Sequence, residues 1–301
     1  MLKGLMLTPP VIGRISIGQV VEKNGKRLPQ KDNQFTLTSQ VQTPDGWIKH
    51  PVDETLRMGK SKLREIPIQL LFSEPDLNLR AEYCLFDRQT ARPLCVGNGE
   101  TCQRHTQNGY ESLPCPSPEH CDFAQAGCKP YGRLNVVVNP EDSADPIGSF
   151  IFRTSGYNSI RTLASRLNYF QALSGNLLSY LPLALKLRGK STRQSYGHPI
   201  YYVDLTLREN MSLEETLTQA KALQLQRLEI GFDQAALDQA AQSGFHNGHF
   251  EEDAESIDSV LEEFYPEPSN STQLSNDPAA ANETANGLAN RLTQQAEQLN
   301  H

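Results

Sequence analysis

The chain has 301 residues, 38% of them hydrophobic, and a formal net charge of −7. No apolar run approaches the roughly 20 residues that a membrane-spanning helix needs, which excludes that class. Charge is unevenly spread: residues 233–301 hold thirteen acidic residues and one basic residue, Arg291, whereas residues 1–232 hold 27 basic and 22 acidic ones. A basic body with an acidic tail suits a protein that meets nucleic acid or nucleic-acid-binding proteins, and it equally suits a tail that only confers solubility.

Apolar residues alternate with period two over Val11–Gly18 and Phe35–Thr38, which predicts strands. Pro44-Asp45-Gly46 marks a turn ahead of Trp47, the single tryptophan. The run LREIPIQLLF, residues 63–72, reads as a strand, with Pro67 hinting at an edge, and residues 79–87 read as its partner. A cysteine-rich segment follows as an insertion between strands. Beyond it, RLNVVVNP and GSFIFRTS are strands, and Thr154 or Ser155 can cap a helix over about 156–174. Ile160, Leu163, Leu167 and Phe170 give that helix its apolar face. Residues 181–187 and 198–209 predict two more strands around a polar, basic loop, 188–197. Ser212-Leu213-Glu214-Glu215 is a capping box opening a helix to about Leu228.

From Gly231 the pattern weakens, and residues 266–284 have the composition of a disordered linker. Short helical patterns flank it, at 256–265 and 285–299. In the first, Ile257, Val260, Leu261 and Phe264 share an apolar face with no evident partner in the chain. These four are candidates for docking as a helix on another protein, with packing on the body as the competing outcome. The expected architecture is α+β: a mostly antiparallel sheet with two main helices in a body over 1–232, with a cysteine-rich zinc module at 95–128. An acidic, largely disordered tail with short helices covers 233–301.

The six cysteines all lie between residues 84 and 128, five of them in the pattern Cys95-x6-Cys102-x12-Cys115-x5-Cys121-x6-Cys128. A turn-rich stretch that cannot bury apolar surface needs a cross-link, and zinc held by four thiolates supplies one. The opening MLKGLMLTPPVIGRIS does not resemble a secretory signal, so a cytoplasmic location with reduced thiols is expected rather than disulfides. Cys115, Cys121 and Cys128, each beside prolines or glycine, form one ligand group. The fourth ligand is Cys95 or Cys102, with His105 and His120 in reserve. Cys84, in the apolar run AEYCLFD, is expected to be a core thiol.

No P-loop, dinucleotide-binding glycine pattern, HExxH motif or nucleophile elbow is present, and the acidic residues of the body do not cluster as a two-metal site would. The chain is therefore expected not to be an enzyme. Two basic groups could meet phosphates. One is Arg57, Lys60, Lys62 and Arg64. The other is Lys186, Arg188, Lys190 and Arg193, with Tyr196 and His198 beside it, an interleaving that suits single-stranded or distorted DNA and equally a solvated loop.

From Lys62 to Leu207 the chain resembles the recombination directionality factor-like family of phages and integrative elements. The segments that carry the resemblance are KLREIPIQL, LCVGNGETCQR, PCPSPEHC, GCKPYGRL, FRTSGYNSI and LPLALKLR. The resemblance implies an accessory protein of DNA recombination that binds a serine integrase and reverses its direction. It places the family cysteines on Cys95, Cys115, Cys121 and Cys128 and makes Cys102 the spare thiol. Family members also carry metal-binding or hydrolase labels, so a single-stranded DNA-binding or annealing helper and a metal-dependent hydrolase are the alternatives. The acidic tail lies outside the resemblance.

Overall fold

The computed structural model describes residues 7, 9–23, 26–43, 46–59, 61–138, 145, 147–191, 199–247, 260 and 264–265. Its twelve strands are β1 (Val11–Lys23), β2 (Lys26–Thr43), β3 (Gly46–Lys49), β4 (Glu65–Leu70), β5 (Leu79–Phe86), β6 (Pro93–Gly97), β7 (Thr101–Thr106), β8 (Gly109–Pro114), β9 (Lys129–Val138), β10 (Ser149–Thr154), β11 (Leu183–Lys190) and β12 (Ile200–Leu207). Five helices accompany them: α1 (Pro51–Arg57), α2 (Pro75–Asn78), α3 (Tyr157–Ser174), α4 (Leu213–Glu229) and α5 (Gln234–Asn247). The strands form one sheet in the order β3-β2-β1-β10-β9-β5-β6-β7-β8. A branch leaves β9 through β4 to β11 and β12. Every pairing is antiparallel except β1 with β10. The protein is thus α+β with a mostly antiparallel sheet, as its sequence predicts.

The branch arises because β9 is long enough to pair twice on one side. Its residues Lys129–Leu134 meet β5, and Val136–Val138 meet β4. The sequence pairs residues 63–72 with 79–87, but β4 instead pairs with β9 and β11. Pro67 pairs with Ala184 of β11, and the β9 ladder begins only at Ile68, so the missing N–H faces no second strand.

One face of the sheet carries the main core: Ile15, Phe35, Leu37, Ile66, Ile68, Leu134, Val136, Phe150, Phe152, Leu183, Leu185, Val203 and Leu205 are buried together. Helix α3 adds Leu163, Leu167 and Phe170, and α4 adds Ala220. Gly132 is required where α3 crosses β9, because a Cβ there would stand 2.9 Å from Ile160 Cγ1. At the free edge of β12, Ser159 Oγ accepts from the Val203 N–H at 3.1 Å, so α3 supplies the partner that a neighbouring strand would have given.

Helix ends follow their sequence signals in one case and not the other. Ser212 and Glu215 close the predicted capping box, at 3.2 and 2.8 Å. The N-cap of α3 is Gly156, with no side-chain cap, because Thr154 Oγ1 instead accepts from the Gly156 N–H at 3.0 Å.

Order extends past the expected body. Residues 234–247, assigned from sequence to the tail, form α5. Its Leu237 and Ala241 pack against Phe72 and Leu77. Asp238 accepts from the Ser73 N–H at 3.3 Å, and Gln234 donates to the Leu71 carbonyl at 2.9 Å. Alanine-rich sequence conceals this face, because small side chains generate little apolar signal. The linker 266–284 and the pattern at 285–299 lie outside the described residues.

Arg57 is a structural residue rather than part of a phosphate-binding group. Its guanidinium meets the buried Asp53 carboxylate at 2.7 Å, and Asp53 also accepts from the Leu37 N–H at 2.9 Å. Arg57 further donates to the Phe35 carbonyl at 2.9 Å. Replacing Asp53 with Ala leaves the Leu37 N–H unmatched and strips the largely buried Arg57 guanidinium of its carboxylate partner. We expect a loss of about 3 kcal/mol in denaturant unfolding, and less than about 1 kcal/mol would contradict this role.

Candidate metal centre and associated surfaces

The cysteine segment is not a loop but a meander that continues the sheet. Asn98 fixes its first turn: its side chain accepts from the Glu100 and Thr101 N–H groups at 2.8 and 2.9 Å. The resulting register pairs Gly97 with Cys102 and Cys95 with Arg104. Directly paired residues share a face. Cys95, Gly97, Cys102 and Arg104 therefore lie on one face of β6 and β7, together with Tyr83 of β5, which pairs with Gly97.

Cys115 follows β8, and its N–H donates to the Glu100 carbonyl at 2.8 Å. Two short 3-10 turns, Pro118–His120 and Asp122–Ala126, carry Cys121 between them. Cys128 closes the second turn, its N–H donating to the Ala124 carbonyl at 3.1 Å, and leads directly into β9. All five thiols, Cys95, Cys102, Cys115, Cys121 and Cys128, line one cavity of about 10 Å³, room for a single water-sized occupant. Gly97 has no side chain for a steric reason: a Cβ would sit 2.8 Å from Cys115 Sγ and 2.7 Å from Cys102 Cβ.

All six cysteines are free thiols. As the side chains stand, no three His, Cys, Asp or Glu groups among the described residues are close enough together to hold a metal ion. The thiols ring the cavity without clasping its centre. The donor set is nonetheless that of a thiolate metal site, soft sulfurs carried on four separate chain segments. Arg104 adds an outer partner. Its terminal nitrogen lies 3.7 Å from Cys121 Sγ, its guanidinium stacks 4.3 Å over Phe123, and its buried Nε has no hydrogen-bond acceptor. A cation beside several sulfurs would offset negative charge on any of them that ionised.

The two histidines held in reserve lie elsewhere. His105 alternates with Arg104 on β7, so it is on the opposite face, exposed and against Tyr110. His120 is exposed at the end of the first 3-10 turn. Cys102, by contrast, is on the cavity with the other four thiols, and its thiol donates to the Pro114 carbonyl at 3.8 Å. Cys84 is a buried thiol, as its apolar context predicts, on the face of β5 away from the cavity.

The thiols hold one another neutral in the absence of a cation. Burial, and then the charges of Cys95, Cys115, Cys121 and Cys102, push the Cys128 thiol up to about 12. Burial, followed by the hydrogen bond and charge of Cys95, pushes Cys102 up to about 11. Burial acts to lower the pKa of Arg104, but its contact with Cys95 and the neighbouring sulfur charges more than reverse this, and the group is raised.

The basic candidates sit on a strand rather than a loop, because β11 continues to Lys190. Lys186, Arg188 and Lys190 alternate along it and share one face. Each already has an acceptor: Lys186 meets Glu65 at 2.7 Å, Arg188 meets Asp204 at 2.6 Å, and Lys190 meets Asn158 at 2.7 Å. Asp204 also binds Arg166 at 3.0 Å. The Arg188 side chain remains 46% exposed. Arg193, Tyr196, His198 and Lys60 lie outside the described residues.

Of the apolar pattern at 256–265, Val260 and Phe264 pack on the body, the outcome that competes with docking on a partner. Val260 and Phe264 are fully buried with Cys84, Phe86, Ala91, Val96 and Tyr131. Aromatic side chains at the base of the cysteine meander form the matching cleft, a partner that sequence spacing did not reveal. Ile257 and Leu261 lie outside the described residues.

A family model described as Gp3-like, recombination directionality factor-like, matches residues 12–208, well over half of the chain. No curated protein and no solved structure matches the chain. Among the described residues, no helix is long and apolar enough to cross a membrane.

The raised thiols give a pH dependence whose sign follows from their direction. In the unfolded chain the cysteines ionise near 9.0, whereas in the folded, metal-free chain Cys102 and Cys128 hold their protons to about 11 and 12. Between those values the unfolded state binds fewer protons, so stability falls as pH rises. Thermal melting with chelator and reductant should show a steeper loss from pH 9 upward than the Cys128→Ser variant shows. Equal slopes would contradict the burial of this thiol. The match over residues 12–208 spans the cysteine meander, the branching strand β9 and the β11–β12 hairpin, and the chain belongs to the Gp3-like, recombination directionality factor-like family.

Proposed function

We propose that this protein is a non-catalytic accessory factor of DNA recombination in a mobile element, acting by binding a recombinase, with one zinc ion holding its cysteine meander rigid. The observation that carries this reading is the gathering of five thiols around one cavity inside the segment that the family match covers. Cys95, Cys115, Cys121 and Cys128 would hold the metal. Cys102 is the spare thiol, consistent with its bond to the Pro114 carbonyl. Bound zinc supplies a cross-link worth on the order of 10 kcal/mol to a small module whose apolar clusters are small. Arg104 orients Cys121 and offsets charge, and Gly97 leaves the room that the sulfurs need. A rigid meander projecting from the end of the sheet is then a stable surface for a protein partner.

Purified protein should carry close to one zinc per chain. Cys115→Ser and Cys128→Ser should lose it, whereas Cys84→Ser should retain it. Full-length protein that stays folded and metal-free under reducing conditions would overturn the metal assignment. Co-purification with a serine integrase of the same mobile element tests the partner, and a chain that leaves integrase direction unchanged would overturn that part.

Contact with DNA is a second reading, favoured by the shared face of Lys186, Arg188 and Lys190. Because these cations are already matched on the protein, phosphates must compete for them, and binding should be weak and steeply salt-dependent. Charge reversal at Lys190 and Arg193 should reduce binding at low salt several-fold with no change in melting temperature. Equal binding by variant and wild type would leave this strand face as solvated surface.

A further inference from the structure

The meander has a second face, opposite the thiols, and the chain's own C-terminal segment covers it. Register sets the division. Cys84 pairs with Val96 on one side and with Lys129 on the other, so these three share a face, and Phe86 and Tyr131 fall on it by alternation. Val260 and Phe264, four positions apart, sit on this face. The Phe264 ring packs edge-on against Phe86 at 4.8 Å and Tyr131 at 5.9 Å.

Polar groups complete the seat. Lys129 donates to the Phe264 carbonyl, and its ammonium lies 4.5 Å over the Phe264 ring. The Tyr265 hydroxyl donates to the Phe86 carbonyl at 2.7 Å, and Arg88 stacks 4.6 Å over the Tyr265 ring. An apolar cleft with two cations at its rim matches the sequence it receives, where Asp258, Glu262, Glu263 and Glu267 surround the aromatic pair. A segment this short has no helical stability of its own in water.

We propose that this cleft is a peptide-docking site for an acidic segment with an aliphatic residue four positions before a Phe-Tyr pair, and that Val260, Phe264 and Tyr265 are its displaceable occupants in cis. The tail then acts as a latch. It shields the cleft until a partner segment of the same chemistry, present at sufficient concentration, replaces it. Tethering sets the threshold, since a short linker presents the cis segment at an effective concentration in the millimolar range. This goes beyond the accessory role proposed above, and its test involves neither a recombinase nor zinc occupancy.

Cys84 is the reporter, because it is buried beneath the latch, 1% exposed. In the full-length Phe264→Ala variant, alkylation of Cys84, resolved from the other thiols by peptide mass spectrometry, should rise at least tenfold over wild type. A labelled peptide of residues 255–268 should bind that variant at least tenfold more tightly than it binds wild type, and should restore Cys84 protection. The same peptide with Phe264→Ala should do neither. Tyr265→Phe, which removes the hydroxyl's contacts with the Phe86 carbonyl and Arg88, should raise peptide exchange several-fold while the fold is unchanged. A Phe264→Ala chain that cannot fold, together with no effect of Tyr265→Phe, would make the segment an integral part of the core and overturn the proposal. So would a folded Phe264→Ala chain that fails to bind the peptide.

Discussion

The two-residue alternation of the β5–β8 meander is the constraint on which the rest depends. Each strand must send successive side chains to opposite faces. In β5 and β6 this separates Tyr83, Leu85, Cys95 and Gly97 from Cys84, Phe86 and Val96. The first set turns towards the thiol cavity and the second towards the C-terminal segment. A one-residue slip between β6 and β7 would send Cys102 and Arg104 to the wrong face. The Asn98 turn, with its two side-chain bonds to backbone, is what resists that slip.

Two features meet at the junction of this meander with the main sheet. Cys128 ends the thiol segment, and Lys129 begins β9 and holds the Phe264 carbonyl. From there β9 runs into the principal core, pairing with β5, β4 and β10 along its length. The strand therefore ties together the cysteine arm, the docked segment and the apolar core. The electrostatics of the arm are demanding. Buried sulfurs that raise one another's pKa cannot all become thiolates without a compensating cation, and Arg104 alone supplies one positive charge against five thiols.

Much of this was legible in the sequence, for identifiable reasons. Strong periodicity marked β9, β10, α3 and α4, where Ile160, Leu163, Leu167 and Phe170 fall on one helical face and Ser212 with Glu215 closes a cap. The cysteine spacing marked a single cluster, and the five thiols do share one cavity. Strand pairing was not legible, because nothing local in β4 says that it prefers β9 and β11 to β5. The role of Cys102 depended on a hairpin register that composition does not encode. His105 was a plausible ligand by distance along the chain and is excluded from the cavity by one step of alternation. Helix α5 was hidden by its alanines, and the partner of Phe264 was hidden because Tyr131 lies 133 positions earlier in the sequence.

On the proposal above, the ringed thiols close on one metal ion as a sulfur-only centre. X-ray absorption at the zinc edge, on protein purified without added metal or chelator, tests it most directly. The expected first shell is four sulfurs at about 2.3 Å with no nitrogen or oxygen ligand. That shell should survive replacement of His105 and His120. A shell containing imidazole nitrogen, or one with fewer than three sulfurs, would contradict it.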